Sequence, residues 1–189
     1  TQASFEHESR LDHFVIVQDD AYHNYNTAST HSNALTLRWP LIGRSERGAH
    51  FVEPIYQIAS LDRSKDIVVP AEESTHAEFD QGNLLALSRF PAADRVEPGQ
   101  RKALGVNYNY RGSAGYALGL SLGQIEWARL PSHFSMTSGL DGTKSDLLLA
   151  AQMETTFGLK FFARTLLDAK GKAGKSEVIS KFKFKKYSV

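Results

Sequence analysis

The chain has 189 residues, of which 41% are hydrophobic and 23% are charged, and its formal net charge is +1. This size and composition suit one segment with its own core, and the near-neutral charge argues against a dedicated nucleic-acid binder. Cysteine is absent, which excludes a disulfide framework, a thiolate metal site and a cysteine nucleophile. Because no apolar run approaches the roughly 20 residues of a transmembrane helix, only strands could take this chain through a bilayer.

Alternating apolar and polar residues predict about eight β-strands and no helix of any length. The alternation is clearest in "GYALGLSLGQI", where leucines occupy one face and glycine, serine and alanine occupy the other. The upstream stretch "RKALGVNYNY" has the same pattern, and "RGSAG" joins the two stretches as a hairpin. In chain order the predicted strands cover residues 10–25, 35–42, 50–60, 101–110, 116–126, 145–153, 157–167 and 176–187.

The connections between these strands alternate in length, because every second one is short. A meander with brief turns at one edge and extended loops at the other is typical of an outer-membrane barrel. We therefore predict an all-β fold, an antiparallel up-and-down meander of about eight strands that forms part of a transmembrane β-barrel. Residues 1–189 are expected to be a single segment of this barrel, with a long loop at 61–100.

A soluble fold would give the same alternation. A β-sandwich or a lipocalin-like barrel points its leucines and valines into a core, and such a protein would bind a small apolar ligand. Periodicity alone does not decide which face is buried. Two features favour the membrane barrel: a face rich in glycine and serine is unusual for a packed interior, and a loop of about forty residues is rare in a compact domain.

The sequence carries no clear catalytic or metal-binding pattern. Its 7 histidines are scattered near strand ends and loops, and none has a partner at a metal-ligand spacing. Asp19 and Asp20 would point to opposite faces of a strand, so they cannot share a proton. The stretch "GLDGTKSD" lacks the spacing of a phosphate-binding loop. We therefore expect no enzyme activity, no metal and no cofactor.

Several stretches over about residues 10–155 resemble one family in order and spacing. They are "LRWPL", "VEPIYQI", "VPAEES", "EFDQGNLLALSRFPAADRVEPGQRKALGVNYNY", "LGLSLGQIEW" and "SGLDGTKSDLLLAAQ". Together they resemble the barrel of the outer-membrane lipopolysaccharide-assembly protein, also called organic solvent tolerance protein, in its alphaproteobacterial form. The family's periplasmic domain and most of its strands have no counterpart here, so the chain is expected to be a fragment.

The resemblance implies a protein of the Gram-negative outer membrane that inserts lipopolysaccharide into the outer leaflet without enzyme chemistry. It also implies three kinds of partner besides lipopolysaccharide itself: a lipoprotein plug in the barrel lumen, periplasmic bridge proteins and membrane lipids. No nucleic acid is expected. In such a barrel the leucine-bearing strand faces would meet lipid, and the faces rich in glycine, serine and asparagine would line a wet lumen.

The central motif of the resemblance lies in the long loop. It consists of Glu78, Phe79, Asp80, Asn83, Arg89, Phe90, Asp94 and Arg95. The charges of this loop, Glu97 included, can pair with one another, and its phenylalanines and leucines can form a small cluster. We therefore expect residues 77–99 to fold as a lid over the mouth of the barrel.

An anionic substrate in the lumen would need basic side chains on the lumen wall. Seven basic residues in or beside predicted strands are candidates. They are Arg38, Lys102, Lys160, Arg164, Lys181, Lys183 and Lys185.

Overall fold

In the computed structural model the chain forms one antiparallel β-sheet, and the structure describes residues 2–16, 26–63, 77–90, 96–97, 99–131, 134–135 and 137–183. Within these ranges there is no α-helix, and therefore none that could cross a membrane. The prediction of an all-β antiparallel meander is confirmed.

The described residues form nine strands of the sheet. They are β1 Ser4–Ile16, β2 Asn26–Arg38, β3 Leu41–Ser45, β4 Gly48–Arg63, β5 Gly99–Gly112, β6 Ala117–Trp127, β7 Leu147–Glu154, β8 Leu159–Leu167 and β9 Ala173–Phe182. The sheet order is β1-β2-β4-β5-β6-β7-β8-β9, with β3 also paired to β4, so apart from β2 and β3 each strand neighbours the next along the chain. The described part of the sheet is not closed on itself.

The ninth strand arises because the predicted strand 35–42 is interrupted. Pro40 has no backbone N–H, so it cannot continue the ladder. β2 pairs with the second half of β4 and β3 pairs with the first half, so the two short strands lie in line along one long partner. Between them, the backbone N–H of Trp39 donates to the carbonyl of Pro54 over 3.1 Å.

The predicted starts of the first two strands were wrong. β1 begins at Ser4 rather than at residue 10, and β2 begins at Asn26 rather than at residue 35. One side of β2 is lined by the buried polar side chains of Thr30, Ser32 and Thr36, so an apolar period could not reveal its first half. Residues 17–25, which the first predicted strand also included, lie outside the described residues.

Short connections lie at one edge of the sheet, and the longest connections lie at the other. Residues 46–47, 113–116 and 155–158 link strands at what we call the short-turn edge. The opposite edge, the long-loop edge, carries the long connections 64–98 and 128–146 and also the five-residue turn 168–172. The alternation read from the sequence is therefore present as far as β8, and the last connection is shorter than predicted.

The two faces of the sheet differ in chemistry. Residues 77–90 pack on one face, which we call the loop face, and in β5 this face carries the buried Ala103. Its neighbour Leu104 points to the opposite face and is 60% exposed. This second face, the leucine face, carries exposed apolar side chains along the whole sheet: Phe5, Leu35, Ile58, Leu104, Leu120, Leu122 and Val178.

The buried core lies on the loop face near the long-loop edge. It joins side chains of β5 to β8 with side chains of the two long connections. Its buried members are Ala77, Phe79, Leu84, Phe90, Ala103, Ile125, Trp127, Leu140, Leu148 and Leu166. The long loops therefore supply much of the core that the sheet would otherwise lack.

Candidate functional site

The loop that the sequence singled out lies flat against the sheet. Leu84 fits into a gap on the loop face where β5 and β6 each have a glycine. A Cβ atom on Gly123 would lie 2.7 Å from the Leu84 Cδ2 atom, and one on Gly105 would lie 2.9 Å from the same atom. Since Gly105 and Gly123 are direct neighbours in the ladder, together they form a seat for a single leucine side chain.

A compact turn places Leu84 over this seat. The Asp80 carboxylate accepts hydrogen bonds from the backbone N–H groups of Gly82 and Asn83, over 2.8 and 2.9 Å. In return, the Asn83 side-chain oxygen accepts one from the Asp80 backbone N–H over 3.1 Å. Such mutual side-chain bonds satisfy backbone groups that a tight turn leaves free. Two residues of the predicted motif therefore act together to shape the loop.

A buried ion pair fastens the middle of the loop. The Arg89 Nη1 atom donates to the Glu97 carboxylate over 2.5 Å, and both side chains are fully buried. Glu97 also accepts from the backbone N–H of Arg89, and the Arg89 Nη2 atom donates to the carbonyl of Leu84 over 2.8 Å. Burial lowers the pKa of Arg89, and the nearby Glu97 charge offsets this only in part.

Two buried polar side chains of the sheet bind the loop backbone. Arg101 of β5 donates through its Nη2 atom to the carbonyls of Ala86 and Leu87, over 2.8 and 2.5 Å. Gln57 of β4 donates to the carbonyl of Leu85 over 3.0 Å. These bonds satisfy three successive carbonyls of the loop where it lies away from water.

The start of the loop reaches the far strands of the sheet. Glu78 lies 2.6 Å from the Lys175 Nζ atom of β9 and 3.7 Å from an Arg164 nitrogen of β8. Asp80 lies 3.4 Å from another Arg164 nitrogen, and Glu177 of β9 lies 2.7 Å from the Arg164 Nε atom. Glu78 and Asp80 therefore pair with the sheet, whereas we expected charges to pair within the loop.

Both phenylalanines of the motif are buried in the core cluster. Phe90 stacks on Phe134 of the other long loop, with ring centroids 5.1 Å apart. Phe134 also contacts Trp127 at the end of β6, with centroids 5.9 Å apart. The two long loops are thus packed against each other as well as against the strands. Asp94 and Arg95, the remaining motif residues, lie outside the described residues.

The predicted basic residues divide between the two faces. Arg38, Lys160, Arg164 and Lys181 share the loop face, as their registers with loop-face neighbours show. Lys183 follows β9 directly, and Lys185 lies outside the described residues.

Lys102 does not share a face with the other described basic candidates. It alternates with the buried Arg101 and shares the leucine face with Leu104.

A row of polar side chains crosses the loop face between the loop and the short-turn edge. Arg38 of β2 lies 3.5 Å from the carboxylate of Glu6 and 3.4 Å from that of Glu53. Asn107 donates to Glu53 over 3.3 Å and accepts from the hydroxyl of Ser121 over 2.9 Å. The row therefore links β1, β2, β4, β5 and β6 through side chains alone.

Comparison with known families decides the assignment of the chain. A model of the family LPS transport system D (LptD) matches residues 20–186. The chain belongs to the LptD family. The lipopolysaccharide-assembly family inferred from the sequence motifs is therefore confirmed. Among curated proteins, no match to the chain was found.

LptD proteins act in lipopolysaccharide transport and assembly at the outer membrane. The family binds lipopolysaccharide, works with other proteins of the same transport system, and is a transport component rather than a known enzyme family. In the described part of this LptD chain, no group of three or more histidines or acids could hold a metal ion. The expectation of no cofactor stays a prediction.

Sequence reasoning missed the residues of the sheet that hold the LptD loop. Arg101, Gln57 and the glycine pair were not among the predicted site residues, although each lies on a strand that was predicted. The signal for Arg101 was available, because it alternates in step with Ala103 and Gly105 and therefore shares their face. For Gly105 and Gly123 the alternation indicated which face they share, but only the structure shows that the Leu84 side chain fills the gap above them.

Proposed function

We propose that this chain forms part of the wall of a Gram-negative outer-membrane barrel that inserts lipopolysaccharide into the outer leaflet. In this arrangement the leucine face meets lipid, the loop face lines the lumen, and the long-loop edge faces the outside of the cell. The docked residues 77–90 close this end of the lumen from within. A lipoprotein plug and periplasmic bridge proteins are its partners in transport, and the chain performs no enzyme chemistry.

One observation carries this proposal: the folded loop packs on one face only, and most of the exposed large apolar side chains of the strands lie on the other face. Leu104, Leu120 and Leu122 are about half exposed or more, with 60%, 42% and 45% of their surface accessible. Arg38, Glu53 and Arg164 lie on the loop face instead. Apolar outside and polar inside is the arrangement of strands in a membrane barrel.

The same observation disfavours the soluble alternative. A soluble sandwich or barrel that binds a small apolar ligand would turn its leucines into a closed interior. Here the buried core on the loop face already contains Phe79, Leu84 and Phe90 of the chain's own loop. The leucine face, in contrast, would be a large apolar surface in water, which favours aggregation.

The proposal is tested by loosening the loop in the full-length protein in its own cells. Residues 80–90 are replaced by a flexible Gly-Ser linker of the same length, which removes the Asp80 turn, Leu84 and Arg89 together. The matched control replaces the exposed turn 168–172 at the same edge in the same way. The measurements are lipopolysaccharide at the cell surface, entry of large antibiotics, and the amount of folded barrel.

We expect the 80–90 linker variant to admit large antibiotics or to lose surface lipopolysaccharide at a normal amount of barrel. The 168–172 variant should behave like the parent, because this turn contributes no side chain to the buried core cluster. Unchanged permeability and unchanged lipopolysaccharide delivery in the 80–90 variant would show that the loop is a passive connection.

A further inference from the structure

A cleft lies on the loop face beyond the polar row, close to the short-turn edge. Its volume is about 790 Å³, and strands β4 to β9 all contribute to its lining. None of the loop residues 77–90 lines it. The docked loop and this cleft therefore occupy opposite ends of the same face.

The charge of this cleft is positive. Lys160 and Lys181 lie directly opposite each other in the β8–β9 register, and Arg111 of β5 adds a third basic group. Among the described lining residues, Glu154 is the only carboxylate, and it already lies 2.8 Å from the Lys160 Nζ atom. Like charges directly opposite on two strands destabilise a sheet, so an anion bound between these side chains would be favourable.

The remaining lining combines apolar side chains with amides. Phe51, Phe162 and Ile179 provide the apolar part, and Asn109 and Gln152 provide hydrogen-bond donors and acceptors.

Gln152 lies close over Gly119, where a Cβ atom would be 2.6 Å from its Nε2 atom. The glycine therefore makes room for the amide to lie low over the sheet.

We propose that this cleft binds an anionic saccharide, with a phosphate or carboxylate group on Lys160 and Lys181. The amides would meet sugar hydroxyls, and the apolar carbons of a sugar ring would pack on Phe51 and Phe162. Few polar groups placed in a mostly apolar cleft are the usual composition of a ligand site, and lysine is a common partner of phosphate. The inference rests on the proposed function, because it requires the loop face to be the lumen.

The first experiment places a photo-crosslinking amino acid at Phe162 in the full-length protein in living cells. The matched control places it at the adjacent Ala163, which points to the leucine face and does not line the cleft. We expect a crosslink to lipopolysaccharide at position 162 and none through the saccharide at position 163. With the probe at 162, Lys160→Gln together with Lys181→Gln should lower the yield at least about tenfold, because both charge-assisted contacts to the anion are lost. Lys102→Gln, on the other face, should leave it unchanged.

A second measurement avoids dependence on barrel assembly in cells. Purified full-length protein in detergent is titrated with lipopolysaccharide and with the same material after enzymatic removal of its phosphates. We expect the phosphorylated form to bind more tightly, and the difference to shrink in the Lys160→Gln, Lys181→Gln variant.

The outcomes separate the two proposals. A crosslink at 162 to a protein instead of lipopolysaccharide would overturn the inference and assign the cleft to a protein partner. Absence of any crosslink at 162, while the 80–90 linker variant still impairs delivery, would overturn the cleft and leave the proposed function standing. If the linker variant also has no effect, both proposals fail.

Discussion

Arg89 and Glu97 form a hydrogen-bonded ion pair with both side chains fully buried beneath the loop. Removing one partner of such a pair leaves an uncompensated charge away from water, which costs about 3 to 5 kcal/mol. We expect Arg89→Ala to release the loop from the sheet without unfolding the strands, because the strand ladder does not depend on this pair. Amide hydrogen exchange of residues 84–90 should rise strongly, while exchange within β5 and β6 stays slow.

Two variants make this test specific. Arg129→Ala removes an exposed arginine of the other long connection and should leave exchange unchanged. Arg89→Met combined with Glu97→Leu should restore part of the protection, because it leaves no unpaired charge, although the Leu84 carbonyl and the backbone N–H of residue 89 lose their side-chain partners. If the double substitution is as damaging as Arg89→Ala, the side-chain bonds to the loop backbone hold the loop, and the unpaired charge is not the cause.

The glycine seat gives a second prediction. Gly123→Ala places a Cβ atom 2.7 Å from Leu84, too close for the loop to keep its position. Such overpacking typically costs about 1 to 3 kcal/mol, and here the loop should move rather than the strand. Exchange of the 80–90 amides is the measurement, and Leu84→Ala in the same chain should relieve the effect.

Gly43→Ala is the matched control for this substitution. Its added Cβ would meet only the His50 Cβ atom at 3.9 Å, which is an ordinary contact. Equal effects at positions 43 and 123 would contradict the role of the seat.

The two faces should differ sharply in their tolerance of charge. Leu120→Arg places a charge on the leucine face and should cost about 2 to 4 kcal/mol if the site lies near the bilayer midplane. Ser121→Arg, one residue along β6, should be tolerated much better, because its face already carries Asn107 and Arg164. Folding titrations of the full-length barrel in lipid vesicles measure the difference. Equal costs, or the reverse order, would show that the faces are assigned wrongly.

The segment before β7 should become more stable as the pH falls. Burial raises the pKa of Asp146, and the charges of Asp141 and Asp168 raise it further. A carboxyl group whose pKa is higher in the folded state opposes folding when it is ionised. The stability of this segment should therefore rise as the pH falls through this raised pKa towards the usual aspartate pKa of about 4.

Asp146→Asn should remove this dependence and stabilise the segment at neutral pH. Asp12→Asn removes a carboxylate of β1, which lies near the other end of the sheet order, and should leave exchange of this segment unchanged. Exchange of residues 139–146 as a function of pH measures both variants. A steeper pH dependence in Asp146→Asn than in the parent would contradict the assignment.

Most of the sheet could be predicted from the sequence, because the alternation of apolar and polar residues is a local property that can be read directly from neighbouring positions. Leu120 and Ser121 point to opposite faces in any β-strand, whatever surrounds the sheet. The first half of β2 was not predicted, because its buried residues Thr30 and Ser32 are polar and a search for apolar periods does not detect them.

The sequence predicted which loop residues belong to the site, but it did not predict most of their contacts. The sequence indicated that residues 77–99 fold and that their charges form pairs, and Arg89 does pair with Glu97. It could not indicate that Glu78 would pair with Lys175, because that contact depends on how many strands separate them in the sheet. Contacts between distant parts of a chain follow from topology, and no local pattern encodes them.

The distance along the chain between Glu78 and Lys175 bears on the order of assembly. The two residues are 97 positions apart, and Lys175 takes its place only when β9 has paired with β8. Closing so long a segment has an entropic cost that the pairing of the intervening strands must first offset. The complete set of contacts between the loop and the sheet can therefore form only at a late stage of folding. In a refolding time course, protease resistance at residues 77–90 should mark the moment at which this sheet is finished.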